Sequence, residues 1–136
     1  MESIISVEEI AWAAGFFDGE GWIGIRNTKK ETNYHCEIAI GQCEINPLLF
    51  FKEKFGGHVY LHKPARGNYR ASYQWHAHGW VAIDFLSLVL KYLKVKKVKA
   101  EGAITFQNTF KRRGKPTKKT PEQDDFVKTF YLKTVA

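Results

Sequence analysis

Ala13-Ala14-Gly15-Phe16-Phe17-Asp18-Gly19-Glu20-Gly21 is the stretch from which the rest of the chain can be read. Just upstream, Ser6-Val7-Glu8-Glu9 forms a capping box, with Ser6 as the N-cap and Glu9 reaching back to it. A helix launched there runs through Ala- and Phe-rich residues and should stop at Gly19 or Gly21. Its last carbonyls lack helical donors and carry partial negative charge, so Asp18 and Glu20 stand where carboxylates are unfavourable. A bound cation would turn that repulsion into attraction. Carboxylate and carbonyl oxygens are the donors that hard cations such as magnesium accept, which makes Glu20 and the carbonyl of Gly19 candidate metal ligands. Asp18 has a second reading, as a group that organises the helix end through hydrogen bonds.

Ala11, Gly15 and Gly19 recur every four residues and form one stripe of minimal side chains. Glycine weakens a helix interior, so Gly15 calls for close approach by another helix. No other segment carries a matching stripe. The partner is therefore a second copy of this helix about a twofold axis, with Ala11, Gly15 and Gly19 at the dimer interface and two Glu20 side chains near its centre.

Ala13 to Gly21 resembles the LAGLIDADG motif of homing endonucleases, with Gly15, Asp18, Glu20 and Gly21 in the expected places. A single copy in a short chain is similar to the homodimeric, single-motif form. The resemblance implies an intron-encoded, magnesium-dependent (or manganese-dependent) DNA endonuclease that hydrolyses phosphodiester bonds in both strands of a long, near-palindromic duplex. It also implies a polar residue late in the second strand and a basic residue further on, around the attacking water and the phosphate. Gln42 and Lys96 take those places, so the catalytic set is Glu20, Gln42 and Lys96. Gln42 falls on the apolar side of its strand by alternation, so its role requires the strand to end or bulge there. Asn46 departs from the basic residue some relatives carry, and Trp22 is bulky beside the metal position. The alternative function on the same scaffold is an intron RNA maturase or a non-cleaving DNA-binding regulator, with intron RNA as a further partner.

The 136 residues fit one domain, 1–136. A hydrophobic share of 44% with 15% aromatics marks a folded chain and excludes a disordered one. Twenty-one Lys and Arg against fourteen Asp and Glu leave +7, with a pI near 9.4, which favours a polyanionic partner. No segment reads as a signal peptide or a membrane span, and Cys36 and Cys43 read as reduced thiols, so the expectation is an intracellular, soluble protein without a membrane partner.

Beyond Gly21 the pattern gives two strands, a helix, two strands and then helices. Trp22–Lys29 and Asn33–Gln42 are strands; the second alternates Tyr34, Cys36, Ile38 and Ile40 against Asn33, His35, Glu37, Ala39 and Gly41. Asn46-Pro47 opens a helix over 48–55 that stops at Gly56-Gly57. His58–Lys63, a turn over 64–67 and a strand with Tyr69, Ala71, Tyr73 and Trp75 on one side follow. Helices are expected over 80–92, 95–110 and 122–132, with a basic loop over 111–121. The fold class is α+β, a LAGLIDADG endonuclease-like antiparallel four-stranded sheet backed by helices, with a helix-mediated homodimer.

The uncovered sheet face carries Arg26, Thr28, Asn33, His35, Glu37, Arg70, Ser72, Gln74 and His76. These are side-chain types that read base edges: Arg on guanine, Asn or Gln on adenine, Glu on cytosine. Such a pattern alone is more often a solvated face; the motif and the charge favour double-stranded DNA. Lys29, Lys30, Lys63, Arg66 and the basic loop would contact phosphates. A strand of about eight residues spans ~26 Å, which matches about eight base pairs, so a dimer would cover roughly twenty. His58, His62, His76 and His78 offer a rival zinc site, but without a cysteine pattern they read as structural or ligand-facing.

Overall fold

The computed structural model describes residues 4–28 and 33–109, together with 121, 122, 125 and 126. The elements follow the expected order: α1 (Val7–Glu20), β1 (Gly21–Thr28), β2 (Asn33–Gln42), α2 (Ile45–Phe55), β3 (His58–Lys63), β4 (Ser72–His78), α3 (Gly79–Val89) and α4 (Lys97–Gln107). One turn of 3₁₀ helix over Leu90–Tyr92 extends α3 to the expected length. The class is α+β.

α1 starts as its sequence dictates. Ser6 Oγ accepts from the Glu9 N–H at 3.1 Å, and Glu9 Oε1 accepts from the Ser6 N–H at 3.0 Å. It ends at Gly21, whose N–H bonds to the Phe17 carbonyl while its backbone is already extended, so the chain passes from helix into β1 without a loop. A Cβ on Gly21 would lie 2.6 Å from the Phe17 carbonyl oxygen, which makes glycine obligatory there. α2 stops at Gly56 and Gly57, with φ of 83° and 86°, in the left-handed region that favours glycine.

All pairings are antiparallel, in the order β1-β2-β4-β3. The apolar alternation predicted for β2 is obeyed: Tyr34, Cys36, Ile38 and Ile40 are buried beneath the helices with Ile23 and Ile25 of β1 and Trp75 and Ala77 of β4. Phe17, Phe51, Phe85 and Trp75 are fully buried and meet at ring-centroid distances of 5.0–5.8 Å. Trp75 Nε1 donates to the Gly56 carbonyl at 2.8 Å, so its one polar group is satisfied in the core. Burial pushes the Cys36 thiol up to about 12, which leaves it a small apolar group.

The details that differ have physical causes. The last strand begins at Ser72, not Tyr69: Arg66 and Tyr69 close a tight turn with backbone bonds of 3.0 and 2.9 Å, so Tyr69 is exposed and Arg70 precedes the strand. Because β4 stops opposite Glu37, the Cys36 N–H has no strand partner on that side. The buried Gln107 of α4 supplies Oε1 at 3.1 Å instead and ties the last described long helix to the sheet. Pro121, Glu122, Asp125 and Phe126 are helical and Phe126 stacks on Phe106 at 5.3 Å; the rest of the helix expected over 122–132, and the basic loop over 111–120, lie outside the described residues.

Candidate nucleic-acid interface and helix-end site

Two polar regions remain outside the core. The first is the C-terminal end of α1. Asp18 is buried, and its carboxylate accepts four bonds of 2.7–3.0 Å from the N–H groups of Lys94, Val95 and Lys96, at the entry to α4. Burial alone would raise this carboxyl. The backbone donors, helped by the charge of Lys96, outweigh it and hold the group below the usual carboxylate range. Asp18 is thus an organiser of the helix end, bolting α1 to the start of α4.

One cation at this helix end is a side chain of the protein itself. Lys96 Nζ donates to the Asp18 carbonyl at 2.6 Å, on one of the orphan carbonyls at the negative pole of α1. Within the cluster Lys94, Lys96 and Lys97, only Lys96 is half-buried; its neighbours are exposed. Glu20, two residues past Asp18, is exposed and makes no side-chain hydrogen bond or ion pair among the described residues. Gln42 is half-buried at the last position of β2. The pairing Gly21↔Ile40 puts it level with the end of α1, and the pairing with Tyr73 is regular, so the strand ends there without a bulge. Among the described residues of one chain, no three His, Cys, Asp or Glu side chains are arranged to hold a metal ion.

The small-residue stripe of α1 faces outward. Ala11, Gly15 and Gly19 are exposed, and a Cβ on Gly15 or Gly19 would meet nothing within 4 Å. The side chains of Ile4, Val7 and Trp12 are exposed as well.

The second region is the sheet face turned away from the helices. Cross-strand register sets its rows: Arg26 beside His35; Gly24, Glu37 and His78; Trp22, Ala39, His76 and His58; Gly41, Gln74 and Tyr60. Here the structure departs from an open array of reading groups. Glu37 is buried, with only 6% of its surface exposed. Its Oε2 is in ion-pair contact with Arg26 Nε but accepts no hydrogen bond among the described residues, its Oε1 is against His76 Nε2, and His35 Nε2 lies 3.9 Å away. Burial pushes His35 below its usual value against the opposing pull of Glu37. Gln74 is also engaged, its Oε1 accepting from the Tyr60 hydroxyl. Arg70 sits off the sheet, bonded to Glu44 at 2.5 Å. Ser72 is half-buried at the start of β4. Lys63, Arg66, Tyr69 and Arg70 line a basic hollow of about 520 Å³ at the β3–β4 turn. Thr28 and Asn33 pair across the end of β1 and β2, their side chains outside the described residues, as are Lys29 and Lys30 altogether.

Trp22 acquires a place. Its indole lies over Gly24 so closely that a Cβ on Gly24 would collide with the ring. A glycine inside a strand signals such an approach, and two positions from a tryptophan it was the available clue. Tyr60 was the functional-face residue without one, since its partner Gln74 comes from register alone.

A sequence-family profile described as LAGLIDADG endonuclease matches residues 13–109. No curated protein matches the chain. Among solved structures, the chain is similar to the homing endonuclease I-CvuI in complex with its target in the presence of calcium, at TM-score 0.65 and 18% identity over 92% of this chain and 81% of that one. It is similar to the archaeal intron-encoded homing endonuclease I-Vdi141I complexed with DNA, at TM-score 0.59 and 14% identity over 95% and 98%. A third likeness, to I-GzeII in complex with a DNA target, has TM-score 0.64 and 17% identity but covers 94% of this chain and 44% of that longer one.

Proposed function

From the premise that the chain belongs to the LAGLIDADG endonuclease family, we propose that it is a homodimeric, site-specific endonuclease that hydrolyses both strands of a near-palindromic DNA duplex with divalent-metal assistance. One observation carries the assignment of roles: of the two carboxylates in the motif, Asp18 is consumed by the backbone at 94–96, and Glu20 alone is left exposed at the helix end.

The donor chemistry fits a hard cation. Glu20 offers carboxylate oxygens and Gly19 its carbonyl; one chain supplies too few donors, so the partner copy's equivalent groups and DNA phosphate oxygens complete the set. Magnesium or manganese held there supplies charge neutralisation at the phosphate and a water of lowered pKa. Lys96 spends one of its N–H groups on the Asp18 carbonyl and has two more to offer a phosphate oxygen as charge accumulates there. Gln42, level with the helix end, orients the attacking water by hydrogen bonding. The open stripe Ala11-Gly15-Gly19 packs α1 against its twofold mate, bringing two Glu20 groups to the two scissile phosphates. Arg26, His35, Ser72, Gln74 and His76 face the duplex around Glu37, with Lys63, Arg66 and Arg70 at the β3–β4 turn on the phosphates.

The test is selection of cleaved molecules from a randomised duplex library with and without magnesium. The expected result is metal-dependent cutting at one sequence of twofold character. Binding without cutting would transfer the assignment to the non-cleaving regulator, and a preference for intron RNA over duplex would transfer it to the maturase.

A further inference from the structure

Glu37 poses a question the general reading leaves open. A carboxylate that is 6% exposed on the DNA-facing side of a sheet is costly unless its charge is matched, and an apolar residue would pack there without that cost. Its charge is met by Arg26 of β1 through Nε, and from the other neighbouring strand His76 Nε2 contacts the second oxygen. The row helps: Glu37 stands opposite Gly24, which has no side chain, and the Trp22 indole covers that gap. Trp22, Arg26, Ala39, Tyr60, Gln74 and His76 surround Glu37 in a hollow of about 220 Å³. The carboxylate therefore lies below the rim, Oε1 against His76 Nε2 and Oε2 in ion-pair contact with Arg26 without a hydrogen bond among the described residues, while the Arg26 side chain above it is 61% exposed.

We propose that Glu37 is a positioning residue for base recognition: its buried charge holds the exposed Arg26 guanidinium over the sheet by ion pairing, so that the guanidinium is kept in place for a guanine edge. This rests on the DNA-endonuclease reading. A long, flexible cation is a poor discriminator; a guanidinium held in place in advance meets the two acceptors of guanine with less freedom to lose on binding. His76 is held by the same carboxylate. Direct cytosine reading by Glu37, which its residue type suggests, is replaced by guanine reading through Arg26.

The experiment is binding selection from a randomised duplex library in magnesium-free buffer with the full chain, its Arg26→Ala and Glu37→Gln variants and the double variant. Arg26→Ala is expected to lose a guanine preference at one position per half-site, on the order of tenfold. Glu37→Gln should lose preference at that same position by a similar factor, and the double variant should lose no more than either alone. The inference is overturned if Glu37→Gln leaves that position intact, if it loses a cytosine preference elsewhere, or if the two effects multiply. Should Glu37→Gln fail to fold by circular dichroism, Glu37→Asp, which withdraws the charge from Arg26 by one methylene, is read against the same outcomes. A wild-type chain that selects no consensus would defeat the endonuclease reading itself; a wild-type consensus that Glu37→Gln leaves undisturbed would defeat this inference alone.

Discussion

The end of α1 and the open face of the sheet are both polar, and they are built on opposite rules. At the helix end the side chain of Asp18 is held by main-chain donors at 94–96, and Lys96 by a main-chain carbonyl, so the geometry is inherited from the fold. On the sheet, side chains hold one another: Arg26 and His76 on Glu37, Tyr60 on Gln74. The first arrangement tolerates little substitution and suits chemistry that must not change. The second can be altered pair by pair while the strands stay put, which suits recognition of a particular sequence.

That contrast can be broken most forcefully at Asp18. Asp18→Ala should destabilise the chain by about 2 kcal/mol, because three backbone N–H groups lose their acceptor in a part-buried setting; urea denaturation measures it, and a loss well under 1 kcal/mol would show the bolt is decorative. The pH dependence has a fixed sign. A folded carboxyl held below its unfolded value contributes stability above the unfolded pKa of about 4, and that stability drains away as pH falls through the folded value. Wild-type stability should therefore drop on acidification below about pH 4, and Asp18→Asn should flatten the drop.

At Lys96, Lys96→Met should cost cleavage roughly a hundredfold while DNA affinity changes far less, since one phosphate contact is a small part of a long interface. Equal losses in both would make Lys96 an ordinary phosphate anchor. Gly15→Leu sharpens the comparison from the outer side of the same helix. The site has room in a single chain, so circular dichroism should stay that of a folded protein while sedimentation reports a monomer; a dimer that survives would move the interface elsewhere. The smallest effect belongs to the sheet. Tyr60→Phe frees the Gln74 carbonyl and should change preference at one base position per half-site by about 1 kcal/mol, with stability nearly unaltered, and an unchanged site profile would separate Gln74 from readout.

The same contrast explains what could be read from the chain. The capping box, the stop at Gly21 and the β2 alternation are local, set by residues within a turn or two of each other, and the structure reproduces them. Lys96 was reachable by analogy with the family, though only the fold distinguishes it from Lys94 and Lys97 by its reach to Asp18. Asp18 was read as a helix-end carboxylate; that its partners lie 76 to 78 residues away could not be seen along the sequence. Glu37 was placed on the correct face, yet its burial depends on the absence of a side chain at Gly24, the sweep of Trp22 and the register that delivers His76. The last strand was started too early because Tyr69 continues the alternation into a turn whose bonds are Arg66–Tyr69 backbone bonds.

The most direct measurement takes the duplex selected by the wild-type chain and compares binding and magnesium-dependent cleavage by wild type and Glu20→Gln. The exposed carboxylate is assigned to the metal and to nothing that holds the fold, so Glu20→Gln should bind with affinity within a few-fold of wild type and leave both strands uncut. Cleavage of both strands at the wild-type rate by Glu20→Gln would contradict the account and send the search for the metal ligand elsewhere on the chain.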